Sequence, residues 1–429
     1  MVTFTLGGRP MRNPEDEIRR HLRHNLTVNF LEGTAFWVGM SFYSFQTVLA
    51  LYISRLSDNP FAVGLLATVG SSGWLLPQLF TAQWTQHTPV KKHIVVRVGF
   101  FSERLPLIVL ALSTWFLAAH YPHAALILAL VTATWLAYGS GLIAVAWQSM
   151  ITKIIPQDIR GRFLGLTSAV GMAGGTLAAG AVTYILNTYP FPKNFAISFS
   201  LGAFFSLLSW VFLALTREPP DPSPLNDSED KAFWRLVPRI LKEDRNYSYF
   251  LLARILGALA AMGNGFLAVY AIQHWNLPDG QAGVFNGVYT AAQLGAYILF
   301  GILADRHGHT YVLKWGMIAG TLAFLIAALA PSPTWIYLSF ADLGFVQASY
   351  VVSGMMIVPE FAPPESLALY FGLSSTLPGL ISVASPMLGA TIAQVAGYPP
   401  LFLVSATASA GAWLVYAWRV QDPRKRGQD

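Results

Sequence analysis

Long apolar runs separated by short polar breaks dominate this chain. Runs of about 20 residues, the length that carries a helix across ~30 Å of hydrocarbon, recur near 28–53, 61–84, 94–119, 123–149, 162–187 and 195–216. After a polar stretch they resume near 247–272, 281–304, 311–330, 334–358, 366–396 and 399–418. Gly and Pro are frequent inside the runs, as helices in lipid tolerate. The pattern predicts an all-α integral membrane protein of twelve transmembrane helices in two six-helix bundles. The expected divisions are an N-terminal segment 1–27, a first bundle 28–216, a linker 217–246, a second bundle 247–418 and a tail 419–429. The linker opens on Glu218-Pro-Pro-Asp-Pro-Ser-Pro224, which reads as an extended spacer. Lys231 to Arg245 interleaves cations with Phe233, Trp234, Leu236 and Ile240, which predicts a helix on the headgroups, kinked at Pro238.

The two halves repeat. A shift of 220 residues lays Phe61–Lys92 over Gln281–Val312. A shift of 207 lays Pro156-Gln-Asp-Ile-Arg-Gly-Arg-Phe-Leu-Gly-Leu-Thr-Ser168 over Pro363-Pro-Glu-Ser-Leu-Ala-Leu-Tyr-Phe-Gly-Leu-Ser-Ser375, with Pro, an acid, Gly-Leu and Ser at equal spacing. Parallel repetition of six helices is an architecture of secondary transporters.

Composition narrows the class. The 429 residues are 54% hydrophobic and 11% charged, where soluble domains run near ~25% charged. The formal charge of +6 lies in short loops between apolar runs, which argues against nucleic acid as a partner. Arg19, Arg20, Arg23, Lys91, Lys92, Lys153, Arg160, Arg162, the cations from Arg217 through Arg245, Arg306, Lys314, Arg419, Arg424, Lys425 and Arg426 share one side, with Arg55 and Lys193 opposite. The positive-inside rule then predicts cytoplasmic termini, in a bacterial inner membrane by default. The sequon Asn25-Leu-Thr27 is silent on that side. Residues 1–26 are polar and predict no cleaved signal. Without cysteine there is no thiol chemistry or disulfide framework.

Gly301-Ile-Leu-Ala-Asp-Arg-His-Gly-His-Thr-Tyr311 joins two apolar runs. It resembles the loop signature of the major facilitator superfamily, G-x-L-A-D-R-x-G, and Pro156-x-Asp-x-Arg-Gly-Arg162 resembles that family's loop between its fourth and fifth helices. With the repeat, the resemblance covers nearly the whole chain. It implies alternating access between two bundles. Asp305, Arg306, Arg160 and Arg162 would be conformational residues rather than substrate ligands, Asp305 facing a helix N-terminus across the interface. Gly301 would let helices approach closely and Gly308 would take the positive-φ turn. Each half keeps a different part of the charge set: Thr85-Gln86 and Thr88 replace the acid-base hinge in the first, and Leu367-Ala368-Leu369 replaces Arg160-Gly161-Arg162 in the second. Gly165, Gly171, Gly174, Gly175 and Gly180 of the fifth helix resemble the antiporter signature of drug exporters without its Gly-Pro pair, while Pro378, Pro386 and Gly389 are expected to interrupt the eleventh.

Ionisable groups at membrane depth are functional candidates because burying them is costly. Glu103 and Arg104 fall near the midplane of the third helix, either as structural ion pairs or as site residues. Asp342 falls at similar depth in the tenth, either proton-linked or hydrogen-bonded to a neighbour. Glu32 and Arg254 occupy nearly equivalent repeat positions and pair either with each other or within their own halves. Arg97 is expected to snorkel to the headgroups. Glu32, Glu103 and Asp342 are thus the proton-coupling candidates. The substrate candidates are polar and aromatic groups on the helices that line the cavity in this family: Trp37, Tyr43 and Gln46; Trp135 and Tyr138; Arg254, Asn264 and Tyr270; Tyr289 and Gln293; and Gln347.

These features predict a monomeric secondary transporter that needs no cofactor and moves small molecules, with protons as the natural coupling ion. Aromatic, charge-poor helices favour export of apolar or amphiphilic compounds. The alternative is uptake of a small organic anion or sugar, with Arg254 or Arg104 as the anion ligand. No Walker loop is present, nor an H-E-x-x-H or G-x-S-x-G motif. The nine histidines give no metal-spaced pair within a span, and His307 and His309 read as loop residues. An intramembrane enzyme or a membrane sensor is therefore a remote reading, and the linker is too short for a soluble domain.

Overall fold

The structure is a computed structural model describing residues 14–74, 76–78, 81, 85, 88–220, 240–354, 356–362 and 367–422. Among these, nine helices are long and apolar enough to cross a membrane, and there is no strand. The first, third and tenth expected spans are not among those nine, and each is interrupted. The first is split into α1 (Pro14–Ser41) and α2 (Val48–Leu56). The third begins with π turns at Ile94–Val98 and Phe100–Arg104 before α4 (Leu105–Leu117). The tenth, α12 (Thr334–Ser349), ends in a π turn, Tyr350–Gly354.

In the first bundle, α1 packs on α6 (Gln157–Thr188) and α7 (Lys193–Ala214), and α3 (Pro60–Ser72) packs on α5 (Pro122–Ile154). In the second, α8 (Arg245–Ala260) continues through a 3₁₀ turn, Ala261–Phe266, into α9 (Leu267–His274). Helix α8 packs on α14 (Leu367–Ala396) and α15 (Tyr398–Trp418), while α10 (Gln281–His307) and α11 (His309–Leu329) pack on α12. A short α13 (Val358–Phe361) precedes α14. Between bundles, α3 lies on α14 and α6 on α10. The second and fifth spans of each half thus meet the fifth and second of the other, a pseudo-twofold arrangement.

The repeat extends to details. The break of the first span at 42–47 and the 3₁₀ turn at 261–266 stand about 220 residues apart, the shift read from the sequence. Each break leaves a carbonyl that a neighbouring serine satisfies. Ser198 donates to Phe42 O (2.7 Å), and Ser385 donates to Ala258 O (3.1 Å). The bundle ends repeat too. Asn25 donates to Arg217 O (2.8 Å) and accepts from Arg217 N (2.9 Å). Asn246 does the same with Gln421 O and N, both at 2.9 Å. Each bundle's first helix is therefore stapled to the residue just past its last helix.

Several expectations change. Pro378 and Pro386 do not interrupt the eleventh span, because α14 runs through both. A proline lacks the N–H that would reach back four residues. The freed carbonyls find side chains instead: Ser374 O accepts from Arg254 (3.2 Å), and Ser382 O accepts from Ser71 (2.7 Å). His307 ends α10 and His309 begins α11, so neither is a loop residue. His309 is partly buried, with its Nδ1 3.1 Å from Ser353 Oγ. The expected headgroup helix of the linker lies largely outside the described residues, as do Arg424, Lys425 and Arg426. Gly308 takes the expected positive φ of 90°. Gly301 makes no close approach here, since a Cβ at that position would meet nothing within 4 Å.

The end bearing 216–220, 240–245 and 419–422 is called the near end. Among the described residues, four polar contacts cross between bundles in the far half. Arg55 Nε donates to Asp279 (3.1 Å), and Asn187 Oδ1 accepts from Gly280 N (2.9 Å). Thr176 and Thr290 hydroxyls lie 3.0 Å apart, and Ser71 reaches Ser382 O. Toward the near end α6 and α10 diverge. Gly165 and Gly301 share helical faces with the contacting Thr176 and Gly287 by the 3.6-residue period, yet both have open space beside them. Ile298, on the same face of α10, is 65% exposed. The two bundles are zipped at one end and parted at the other.

Candidate functional site

A cavity of about 270 Å³ lies wholly within the first bundle. Its polar end holds Glu32 of α1 with Glu103 and Arg104 of the third span, and its apolar walls include Trp37, Trp74, Trp147 and Phe163. The π turns bring the charged pair here, as such bulges often do at functional sites. They also need room: a Cβ on Gly139 of α5 would collide with Ser102 O, so only glycine lets α5 run against that turn.

The charges form one cluster. Arg104 is ion-paired with Glu103 and is 2% exposed. Ser209 of α7 donates to Glu32 Oε1 (3.2 Å), and Arg104 acts on Glu32 through its field. Two carboxylates therefore face one guanidinium in an aromatic pocket. Arg104 Nε and Thr167 Oγ1 are buried there without a hydrogen-bond partner. Sequence reading found Glu32, Glu103, Arg104 and Trp37 but missed Thr167, Ser209, Trp74 and Trp147. Nothing in their own spacing marks them, since Ser, Thr and Trp are common throughout the spans.

Arg254 sits in a different environment. Its guanidinium donates to Gly354 O (2.8 Å), Tyr350 Oη (2.9 Å) and Ser374 O, and stacks 4.4 Å from the Tyr350 ring. Glu32 and Arg254 thus find partners within their own halves. The remaining candidates are dispersed. Tyr43 is buried against Gly202, and Gln46 lies in the helix break. Trp135 is 40% exposed and Tyr138 lies 3.1 Å from Ser72 Oγ. Tyr270 packs in a far-end aromatic cluster with Trp275, Tyr398 and Phe402. Gln293 donates to Tyr297 (3.1 Å), while Tyr289, Gln347 and Asp342 are half-buried. Asn264, in the 3₁₀ turn, keeps a buried Oδ1 without a partner.

At the near end, Arg160 caps the C-terminus of α5 through the carbonyls of Ile155 (2.9 Å) and Thr152. Arg162, Asp305 and Arg306 are exposed. The fully buried Glu218 carboxylate accepts from Lys91 N (3.1 Å), Lys92 N (2.6 Å) and Lys153 Nζ (3.2 Å), anchoring the chain as it leaves α7. Burial holds the Lys92 ammonium below its ordinary pKa, and Glu218 works the other way. Among the described residues no group of three His, Asp or Glu could hold a metal.

Residues 250–429 match the family model of the Major Facilitator Superfamily. The second half of the chain is that of a major facilitator superfamily transporter. It is 25% identical over 280 residues to the MFS-type transporter YfkF of Bacillus subtilis, covering 64% of this chain and 68% of that one. It is 25% identical over 363 residues to the chromaffin granule amine transporter of Rattus norvegicus, covering 83% and 65%. Its fold matches the crystal structure of a bacterial homolog of the human lysosomal transporter Spinster, inward-facing and unoccupied, with a TM-score of 0.65 and 17% identity, covering 94% of this chain and 98% of that one. With these matches it is a multi-pass membrane transporter of small molecules.

Proposed function

We propose that the chain is a proton-linked exporter of apolar or amphiphilic small molecules, working as a monomeric, non-enzymatic carrier in a bacterial inner membrane with both termini cytoplasmic. The observation that carries this reading is a chemically equipped cavity in a protein zipped at the far end and parted at the near end. With cytoplasmic termini, the parted end faces the supply of an exported compound. Rocking the bundles until the near end closes would release the far-end contacts and turn the opening outward. Aromatic walls suit a lipophilic cargo, and Glu32, Glu103 and Asp342 are carboxyls at membrane depth able to carry protons. A chromaffin granule amine transporter and a tetracycline resistance protein among the chain's relatives accord with this cargo.

The anion or sugar reading has less support. Arg254 spends its donors on protein oxygens, and Arg104 is held by Glu103. Proteoliposomes with an imposed pH gradient provide the test. A lipophilic dye should accumulate only with a proton gradient, and Glu32→Gln or Asp342→Asn should abolish the gradient dependence. Transport of sugars or carboxylates in place of the dye, lost in Arg254→Ala, would replace the exporter reading.

A further inference from the structure

The third span differs from its repeat partner on the side away from the cavity. Val95, Glu103 and Arg104 line the cavity. Arg97 and Phe101 stand two residues from Val95 and Glu103, which puts them on the opposite face of the turns. Both are exposed, as is His93 one turn nearer the end of the span. Among the described residues Arg97 has no hydrogen-bond or ion-pair partner. Beside it, Trp210 of α7 donates its indole N–H to Val96 O (2.8 Å) and packs on Phe100 at 5.2 Å, and Phe100 meets Phe101 edge-on at 5.4 Å. The second bundle has none of this. Its α11 is an unbroken helix that carries Met317 where Arg97 stands at the shift of 220. The staples set Gln421 against Arg217, and in that register Leu414 takes the place of Trp210. Arg97 stands six residues past Lys91, no more than ~9 Å into the span at 1.5 Å per residue, and its long stem brings the guanidinium up to the headgroups. A cation exposed at that depth meets lipid phosphate. The carboxylates of this span and of the near-end clasp are committed, Glu103 to Arg104 and Glu218 to the lysines. No acid here recommends the ammonium of a zwitterionic headgroup.

We propose that the outer face of the first bundle, between the π turns of the third span and α7, holds an anionic phospholipid of the near leaflet. Its phosphate lies on Arg97, and an acyl chain lies along Phe100, Phe101 and Trp210. Arg97 shares its pair of π turns with Glu103 and Arg104, so the lipid braces from outside the turns that present charge to the cavity. Such a site follows from the membrane span alone, whatever the cargo and its direction.

Native mass spectrometry of the purified full chain in detergent resolves the first bound lipid. Phosphatidylglycerol and phosphatidylcholine with the same acyl chains are titrated separately. Phosphatidylglycerol should bind about fivefold more tightly, the factor that ~1 kcal/mol for one cation beside an anionic headgroup supplies. Arg97→Gln should bring the two lipids to parity, and Arg97→Lys should keep most of the preference. Arg419→Gln, which removes an exposed near-end cation of the second bundle, should leave the preference whole. Equal binding of the two lipids to the unaltered protein overturns the inference without recourse to any variant. So does a preference that survives Arg97→Gln. A preference lost as fully in Arg419→Gln would belong to the whole near face and would overturn this site too. Glycerol phosphate, which has no acyl chains, should not displace the lipid; displacement would reduce the site to a bare phosphate contact and count against it.

Discussion

Arg254 shows how a buried cation is made tolerable without a carboxylate. Its acceptors are the carbonyl at the end of a π turn, a tyrosine hydroxyl and a carbonyl released by Pro378, with an aromatic ring beneath. All are held by the second bundle's own helices, so the residue ties the α8, α12 and α14 spans together. Arg254→Met should therefore lower stability by about 2–4 kcal/mol, since two carbonyls and a hydroxyl lose a buried partner. Thermal melts of the purified protein would show this, and a variant as stable as the parent would refute the structural role. The depth of Arg254 was legible in the sequence. Its partners were not, because two of the three are backbone oxygens that no side-chain pattern announces. Glu103 and Arg104 present the reverse case: adjacent residues whose pairing is local, and whose placement beside Glu32 depends on π turns that hydropathy does not reveal. Gly308 was legible for a simpler reason, because a positive φ between two helices demands a residue without a Cβ.

At the scale of elements, α14 is a helix whose prolines create acceptors. Pro386 frees Ser382 O, and Ser71 of the opposite bundle occupies it. Pro386→Ala would restore the intrahelical donor and make Ser71 redundant. Ser71→Ala alone should weaken the far-end contact by about 1 kcal/mol, and in the Pro386→Ala background by much less. A double-mutant cycle on thermal stability reads the difference, and strict additivity would dismiss the coupling. The tight crossing of α5 over the π turn offers a second test. Gly139→Val should destabilise the first bundle by about 1–3 kcal/mol through overpacking against Ser102, measured again by melting temperature. Helix number and order followed from the apolar runs. The interruptions at 42–47, 94–104, 261–266 and 350–354 did not, because a span stays apolar whether its turn is α, 3₁₀ or π.

For the molecule as a whole, the far-end contacts set which way the bundles lean. The Arg55–Asp279 pair is partly exposed, so it contributes only a few tenths to about 1 kcal/mol. Arg55→Ala should move the population toward the state closed at the near end by up to about fivefold. The absence of cysteine makes this measurable without background. Spin labels at Gly165→Cys and Gly301→Cys, both facing open space, should report more of a shorter distance in Arg55→Ala than in the parent, and an unchanged distribution would mean that the pair is no latch. The two-bundle plan was legible from the repeat. Which end is zipped was not, since both arrangements use the same helices.

The asparagine staples carry a consequence for how the gene can be cut. Asn25 and Asn246 close each set of six helices on itself, so neither half depends on the connecting peptide to hold its ends together. Two polypeptides, one ending after Glu218 and its clasp and the other beginning before Asp244, should then find each other in the membrane when co-expressed. An affinity tag on one fragment should retrieve the other, and Asn25→Ala should sharply reduce that recovery while scarcely affecting the uncut protein.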